Sequence, residues 1–295
     1  MLEAAQHADR LGYDSLWTWD HFYAHVGPTT GDNFEAWTVM SALAAVTTVG
    51  RLGVLVSAAT YRHPVLVAKQ ASTLDHVSSG RAALGIGAGW FEIEHQQLGF
   101  SYGSTGERLA RLRETAHIAR SLLRGETVDF AGTFYTLKQA TLHPLPVQAH
   151  LPIVIGGGGE SVTLGIVARY ADVWNFYGTL EALARKSAIL DEHCRKIGRD
   201  PQTIARSVCL PLIVRNSAPE VERRLEAVGE RNGIARADLA REAGETIAGS
   251  PDYVAERIRN YLDLGFSEVI AMGPAPYDDE TIERLAAEVF PLLRA

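Results

Sequence analysis

Cysteine is nearly absent. Cys194 and Cys209 are the only two in 295 residues, too few for a disulfide framework and not in C-x-x-C spacing. No apolar run reaches the roughly 18 residues needed to span a bilayer. The N-terminus is amphipathic and charged rather than a basic-then-apolar leader. Neither secretion nor membrane insertion is expected, and the default setting is reducing and cytoplasmic. A basic excess is lacking as well. A formal net charge of −7 suits neither nucleic acid nor an anionic membrane surface as a partner. The chain also lacks H-E-x-x-H, G-x-S-x-G and G-x-x-x-x-G-K-[ST], and it has no paired carboxylates at the ends of its expected strands. These absences argue against a metal hydrolase, a serine hydrolase, a P-loop enzyme and a glycosidase.

What is present is the composition of a soluble globular protein with a sizeable core, 46% hydrophobic and 21% charged. Short apolar strands alternate with helices along the chain. Strands are expected at Ser15–Trp19, Leu52–Ser57, Ala82–Ile86, Ile153–Ile155, Ala171–Phe176, Ser207–Val214 and Ser267–Met272. Helices are expected from Leu2, over Phe34–Thr47, Pro64–Val77, Glu107–Leu123, Ser161–Tyr170, Leu180–Ile197, Pro219–Glu230, Pro251–Leu264 and Asp279–Leu293. Ser250 and Pro251 form an N-cap and first-turn pair, Gly265 is a stop signal, and Pro211 predicts a local irregularity within its strand. Thr127–Leu137 reads as a β-hairpin, and 232–249 as a surface insertion.

Strict alternation implies a parallel sheet covered by helices. With no boundary between compact units, the expectation is one domain over residues 1–295, an α/β fold of the (β/α)8 TIM-barrel type. The hairpin is then an insertion before strand 5. Seven strands are one short of eight, and residue 1 already falls in a helix. The barrel is therefore expected to lack its first strand at the N-terminus.

Active sites of such barrels lie at the C-terminal strand ends. Those ends are Asp20-His21, Ser57-Ala58, Gly87-Ala88-Gly89, Gly156–Ser161, Asn175-Phe176 and Gly273. Ile153–Ile155 runs into four glycines and then a helix, a geometry that brings main-chain N–H groups close to an anion. A phosphate site is the functional reading, and a tight strand-to-helix turn binding nothing is the bland one. Gly85-Ile-Gly87-Ala-Gly89 resembles a dinucleotide fingerprint only weakly, because Trp90 replaces its third glycine. His21 and His25 flank a loop with Pro28 and glycines, which argues against metal ligation. His21 is preferred as a proton donor or acceptor over a surface histidine beside a capping aspartate. His63 and His76 are read as structural. Trp37, Trp90 and Trp174 are candidates for an apolar pocket, though buried aromatics more often belong to the core.

Taken together, Ser15-Leu-Trp-Thr-Trp-Asp-His21, Thr60-Tyr-Arg-His-Pro64, Ala68–Asp75, Ser79-Gly-Arg81, Gly85–Trp90 with Glu94-His95, and Ile155–Gly159 resemble the bacterial luciferase-like monooxygenase superfamily. The resemblance is strongest to its branch dependent on the deazaflavin coenzyme F420, and it covers almost the whole chain. It implies a (β/α)8 barrel with an insertion before the fifth strand. Asp20 and His21 would lie beside the flavin ring as the catalytic pair. Leu55, Val56, Ser57 and Ala58 match a bulge that often holds a non-proline cis peptide behind the ring. Gly87, Ala88 and Gly89 match the segment beneath the cofactor, and Gly157, Gly158, Gly159, Glu160 and Ser161 match its phosphate turn. Some deazaflavin dehydrogenases carry a catalytic glutamate directly after the second glycine of the fourth strand. That position is Trp90 here, with Glu92 and Glu94 further on, which argues against a simple alcohol or sugar-phosphate dehydrogenase mechanism. The implied activity is hydride transfer between F420 and a small organic substrate, in a homodimer. The alternatives are a reduced-FMN monooxygenase and a non-catalytic flavin-binding barrel.

Overall fold

A computed structural model describes residues 1–24, 26–239, 246–273 and 277–294. After a first helix, α1 (Leu2–Arg10), the parallel strands are β1 (Ser15–Thr18), β2 (Arg51–Val54), the two-residue β3 (Ser57–Ala58) and β4 (Ala82–Gly87). A hairpin follows, β5 (Val128–Ala131) with β6 (Thr136–Ala140), antiparallel and off the main sheet, as expected from its aromatic and glycine pattern. The sheet resumes with β7 (Ile153–Gly156), β8 (Val173–Phe176), β9 (Ala205–Val214), the short β10 (Ile247–Gly249) and β11 (Glu268–Met272). Its order is β1-β2-β4-β7-β8-β9, with β3 against β4 and both β10 and β11 against β9. Every ladder in it is parallel.

The helices between these strands include α2 (Ala36–Val46), α3 (Pro64–Val77), the short α4 (Glu92–Leu98), α5 (Thr105–Leu123), α6 (Thr163–Tyr170), α7 (Leu180–Lys196), α8 (Ala218–Asn232) and α9 (Pro251–Asp263). Local chemistry sets several of their ends. Ser104 and Glu107 cap α5 reciprocally, Ser250 accepts the Tyr253 N–H at the start of α9, and Gly265 follows α9 with φ +89°. The single C-terminal helix expected over Asp279–Leu293 is broken by a π turn at Leu285–Val289.

Pro211 does not break β9. It pairs with Met272 where β11 ends, and β10 takes over from Leu212, so the missing N–H falls at the handover between two partners. Ile247–Gly249 is therefore part of the sheet rather than of a surface insertion, and 240–245 lie outside the described residues.

Side chains alternate between two shells, as the two-residue period of a strand requires. Leu84, Ile86, Ile153 and Ile155 face the helices in the outer core, and all four are fully buried. Ala83 and Val154 face inward, with Leu55, Val173 and Cys209, against Trp17, Val56, Ile270 and Met272. Burying one Leu or Ile side chain contributes roughly 1.5–3 kcal/mol, so the outer shell carries most of the cohesion. Among the described residues no ladder joins β1 to β11. The Ser15 hydroxyl donates to Glu268 (2.6 Å), and a cleft of about 600 Å³ lined by Tyr13, Val269, Ile270 and Phe290 lies along that seam.

Candidate active site

The C-terminal ends of β1, β3, β4 and β7 form one continuous rim, because β3 pairs Ala58 with Gly87 and β4 pairs Ile86 with Ile155. Asp20 and His21 follow β1 directly but point to different partners. Asp20 is buried, and its Oδ2 accepts the Ala58 N–H (3.1 Å) and a guanidinium N–H of Arg62. The other side of that guanidinium reaches Glu35 at 2.6 Å. Burial pushes the Asp20 carboxyl above its ordinary range, with Arg62 and the Ala58 N–H opposing. Asp20 therefore braces the loop after β1 against β3.

His21 turns towards α4. Its Nδ1 lies 3.1 Å from Oε2 of Glu94, and its ring meets Trp90 and Phe91 edge-on at 5.4 and 5.5 Å. Glu94 is fully buried. Its Oε1 accepts the N–H groups of Phe22 (2.6 Å) and Tyr23 (2.7 Å), and its Oε2 also accepts the Tyr61 hydroxyl. Burial is the largest single influence and opposes charge, but the bonds from His21, Tyr61 and the Tyr23 N–H together hold the carboxyl at about 2. Burial and the bond to Glu94 push the Tyr61 phenol upward, so it stays protonated.

The segment between β2 and β3 is the expected bulge, and its Leu55–Val56 bond is cis. Ser57 accepts the indole N–H of Trp37 (2.8 Å), and Ala59 donates to the Gly87 carbonyl. The Val56 side chain enters the barrel between inward-facing positions of β4 and β7. Those positions are Gly85, Gly87 and Gly156, and a Cβ on Gly156 would sit 2.9 Å from a Val56 methyl. The glycines on these strands thus leave room for Val56. Ala88 and Gly89 continue the wall beyond β4 without bulk.

The β7 turn has a consistent polarity. The Gly157 carbonyl accepts the Trp174 indole N–H (2.8 Å), the Gly158 carbonyl accepts from Lys186, and the Glu160 carbonyl lies 2.8 Å from His193 Nε2. Gly157 (φ +128°) donates its own N–H to Asn175. Among the described residues, the N–H groups of Gly158, Gly159, Glu160 and Ser161 have no protein acceptor. The carbonyls are tied to the scaffold while these donors are left without an acceptor, an arrangement suited to an anion. Bulk is excluded as well, since a side chain on Gly158 would strike the Phe176 ring, and one on Gly159 would meet Thr163 Oγ1 at 2.7 Å. Gly157 therefore contributes conformation rather than a donor.

The chain as a whole has counterparts in known proteins. The pattern for luciferase-like monooxygenases matches residues 1–268. The chain belongs to that family. It is 28% identical over its whole length to an F420-dependent glucose-6-phosphate dehydrogenase of Kineococcus radiotolerans, covering 93% of that protein. An F420-dependent secondary alcohol dehydrogenase, solved with an F420–acetone adduct, superposes with a TM-score of 0.86 at 21% identity, over 100% of this chain and 94% of that one. A monooxygenase from Streptomyces bottropensis superposes at 0.82 and 21% identity, over 98% and 92%. The fold is thus the α/β barrel of luciferase-like enzymes.

Within this luciferase-like barrel, the other candidates separate clearly. Trp37 and Trp174 are buried and spend their indole N–H groups on the scaffold, whereas Trp90 is 60% exposed beside His21. His63 caps α3 and His76 bonds the Leu145 carbonyl. His25 lies outside the described residues. His95 is buried, with Nε2 2.7 Å from Thr60 Oγ1 and Nδ1 2.9 Å from the Phe91 carbonyl. Burial raises the Cys209 thiol to about 11, so it is no nucleophile. Glu94, Tyr61 and Arg62 complete the rim, and none of them is among the site residues expected from the sequence. Their signal was present only as motif residues with no assigned role.

Proposed function

We propose that the chain is an F420-dependent oxidoreductase that transfers a hydride between the bound deazaflavin and a small organic substrate. The β7 turn carries this reading. Four successive N–H groups without a protein acceptor fit a phosphate, and the bare wall of Gly87, Ala88 and Gly89 beside the Val56 bulge fits a flat ring. The names of the Kineococcus relative and the alcohol dehydrogenase support F420 as the cofactor. When bound, the deazaflavin supplies a two-electron hydride carrier that does not readily form an oxygen adduct. The protein's own residues do the remaining work. The turn binds the cofactor's phosphate, Leu55–Ala58 back its ring, and His21 gives or takes a proton next to the substrate. Asp20 contributes by holding Arg62 and the Ala58 N–H. Trp90 and Phe91 exclude water from one side of the His21 ring.

We extend the proposal to residues 1–295 acting as one barrel domain, in the cytoplasm, as a homodimer. Two buried free thiols suit a reducing compartment, and no described helix is long and apolar enough to cross a membrane. The family match favours a second reading, a reduced-FMN monooxygenase, since FMN offers a similar ring and phosphate.

Fluorescence titration with F420 and, separately, FMN tests the choice. F420 binding with oxygen-independent turnover is expected, whereas tight FMN binding with dioxygen-dependent product overturns it. In His21→Ala we expect turnover to fall at least about 100-fold with cofactor affinity retained. Unchanged turnover would remove His21 from the mechanism.

A further inference from the structure

Glu94 is a carboxylate with no exposed surface, on a seven-residue helix, and such a charge persists in a protein interior only when fully bonded. Its two oxygens divide their partners. Oε1 takes only main-chain donors, the N–H groups of Phe22 and Tyr23, and so fixes the path of the chain after His21. Oε2 takes only side-chain donors, the Tyr61 hydroxyl and Nδ1 of His21. An ionised carboxylate has no proton to give, so the proton in the contact with His21 must sit on Nδ1. Any proton that His21 exchanges with a substrate then passes through Nε2. The Trp90 and Phe91 rings flank the imidazole edge-on and limit its rotation out of that contact.

We infer that Glu94 is the positioning residue of the active site, fixing His21 as its Nδ1–H tautomer and directing Nε2 to the reaction. The inference rests on the proton-transfer role proposed for His21. Tyr61 supports it by satisfying the same oxygen, which keeps that oxygen from turning to another donor.

Glu94→Gln separates the two functions of the carboxylate. The amide oxygen can still receive the Phe22 and Tyr23 N–H groups, but the amide nitrogen faces His21 with a donor. Nδ1 must then accept, and the ring proton moves to Nε2. The direct readout is the pair of ring nitrogen shifts of His21 in ¹⁵N-histidine-labelled protein, at a pH where the ring is neutral. The wild type should show Nδ1–H, Glu94→Gln should show Nε2–H, and Glu94→Asp should retain Nδ1–H. Glu94→Asp also serves if Glu94→Gln does not fold. In turnover, Glu94→Gln should lose roughly 100-fold in kcat with KM within about threefold. That loss should vanish in a His21→Ala background, because the effect runs through the histidine. An unchanged tautomer in Glu94→Gln, a lost Nδ1–H in Glu94→Asp, or the same kcat loss without His21 would overturn the inference. If the protein binds no F420 the functional reading fails, and the nitrogen shifts still report whether Glu94 sets the tautomer.

Discussion

The two sides of the barrel mouth are built by opposite means. Around β1 and α4 the rim is dense with ionisable side chains, and Asp20, Arg62, Glu35, Glu94, Tyr61 and His21 satisfy one another across distant parts of the chain. Around β7 the rim is bare backbone, with carbonyls tied back by Trp174, Lys186 and His193 and donors left open. One side ties its ionisable groups to one another, and the other leaves main-chain donors without a protein acceptor. Each side is therefore vulnerable to a different kind of change. The side-chain network fails when a partner is removed, and the glycine turn fails when an atom is added.

Removing the centre of the network should cost most. Glu94→Leu leaves two main-chain N–H groups, a phenol and an imidazole, all part-buried, without their acceptor, so we expect a loss on the order of 4 kcal/mol in denaturant unfolding. A loss below about 1 kcal/mol would mean that water or another acceptor replaces the carboxylate. Acid comes next. The Glu94 carboxyl is held at about 2 against an ordinary 4.5, so the folded state favours its charged form. Its contribution is complete above about pH 4.5 and is lost as the pH falls through about 2. The shift corresponds to on the order of 3 kcal/mol. Unfolding midpoints should decline over that window in the wild type and decline less in Glu94→Gln. Parallel declines would assign the acid sensitivity to other carboxylates.

Adding atoms to the turn tests the opposite side. Gly157 adopts φ +128°, where a β-branched side chain is strained, so Gly157→Val should lose about 2 kcal/mol of stability and weaken cofactor binding at least about tenfold. Retained affinity would show that the turn is only a connection. The smallest effect belongs to the ion pair between Arg185 and Glu160, both substantially exposed. Arg185→Ala should change stability by less than about 0.5 kcal/mol, and a larger change would mean that this pair shapes the turn.

These two sides also differ in how far the sequence exposes them. The glycine run, the caps, the hairpin and the strand–helix alternation are local signals, and each was legible because neighbouring residues carry it. The space required by Val56 was not, although the glycines that supply it were conspicuous, since Gly85 and Gly156 lie on different strands. Glu94 was hidden for two reasons. Helix α4 is too short to show a period, and its N-cap residue, Phe91, offers no side-chain cap. The partners of Glu94 after β1 stand more than 70 residues away. Pro211 misled in the other direction, because its lack of an N–H predicts a disruption that the change of partner along β9 absorbs.

The seam between β1 and β11 bears on the chemistry through the timing of local opening. β1 has a ladder on one side only, and on the other the Ser15–Glu268 hydrogen bond and an apolar cluster shared by Trp17, Ile270 and Met272 stand in place of one. β4 is paired on both sides. Amide hydrogens of Ser15–Thr18 should therefore exchange with solvent through smaller openings than those of Ala82–Gly87. The strand that delivers His21 is thus freer to breathe than the strand at the centre of the sheet. The Glu94 cluster at its tip acts as a latch, so on the proposed reading the lifetime of the His21 geometry is set at the rim rather than in the wall of the barrel.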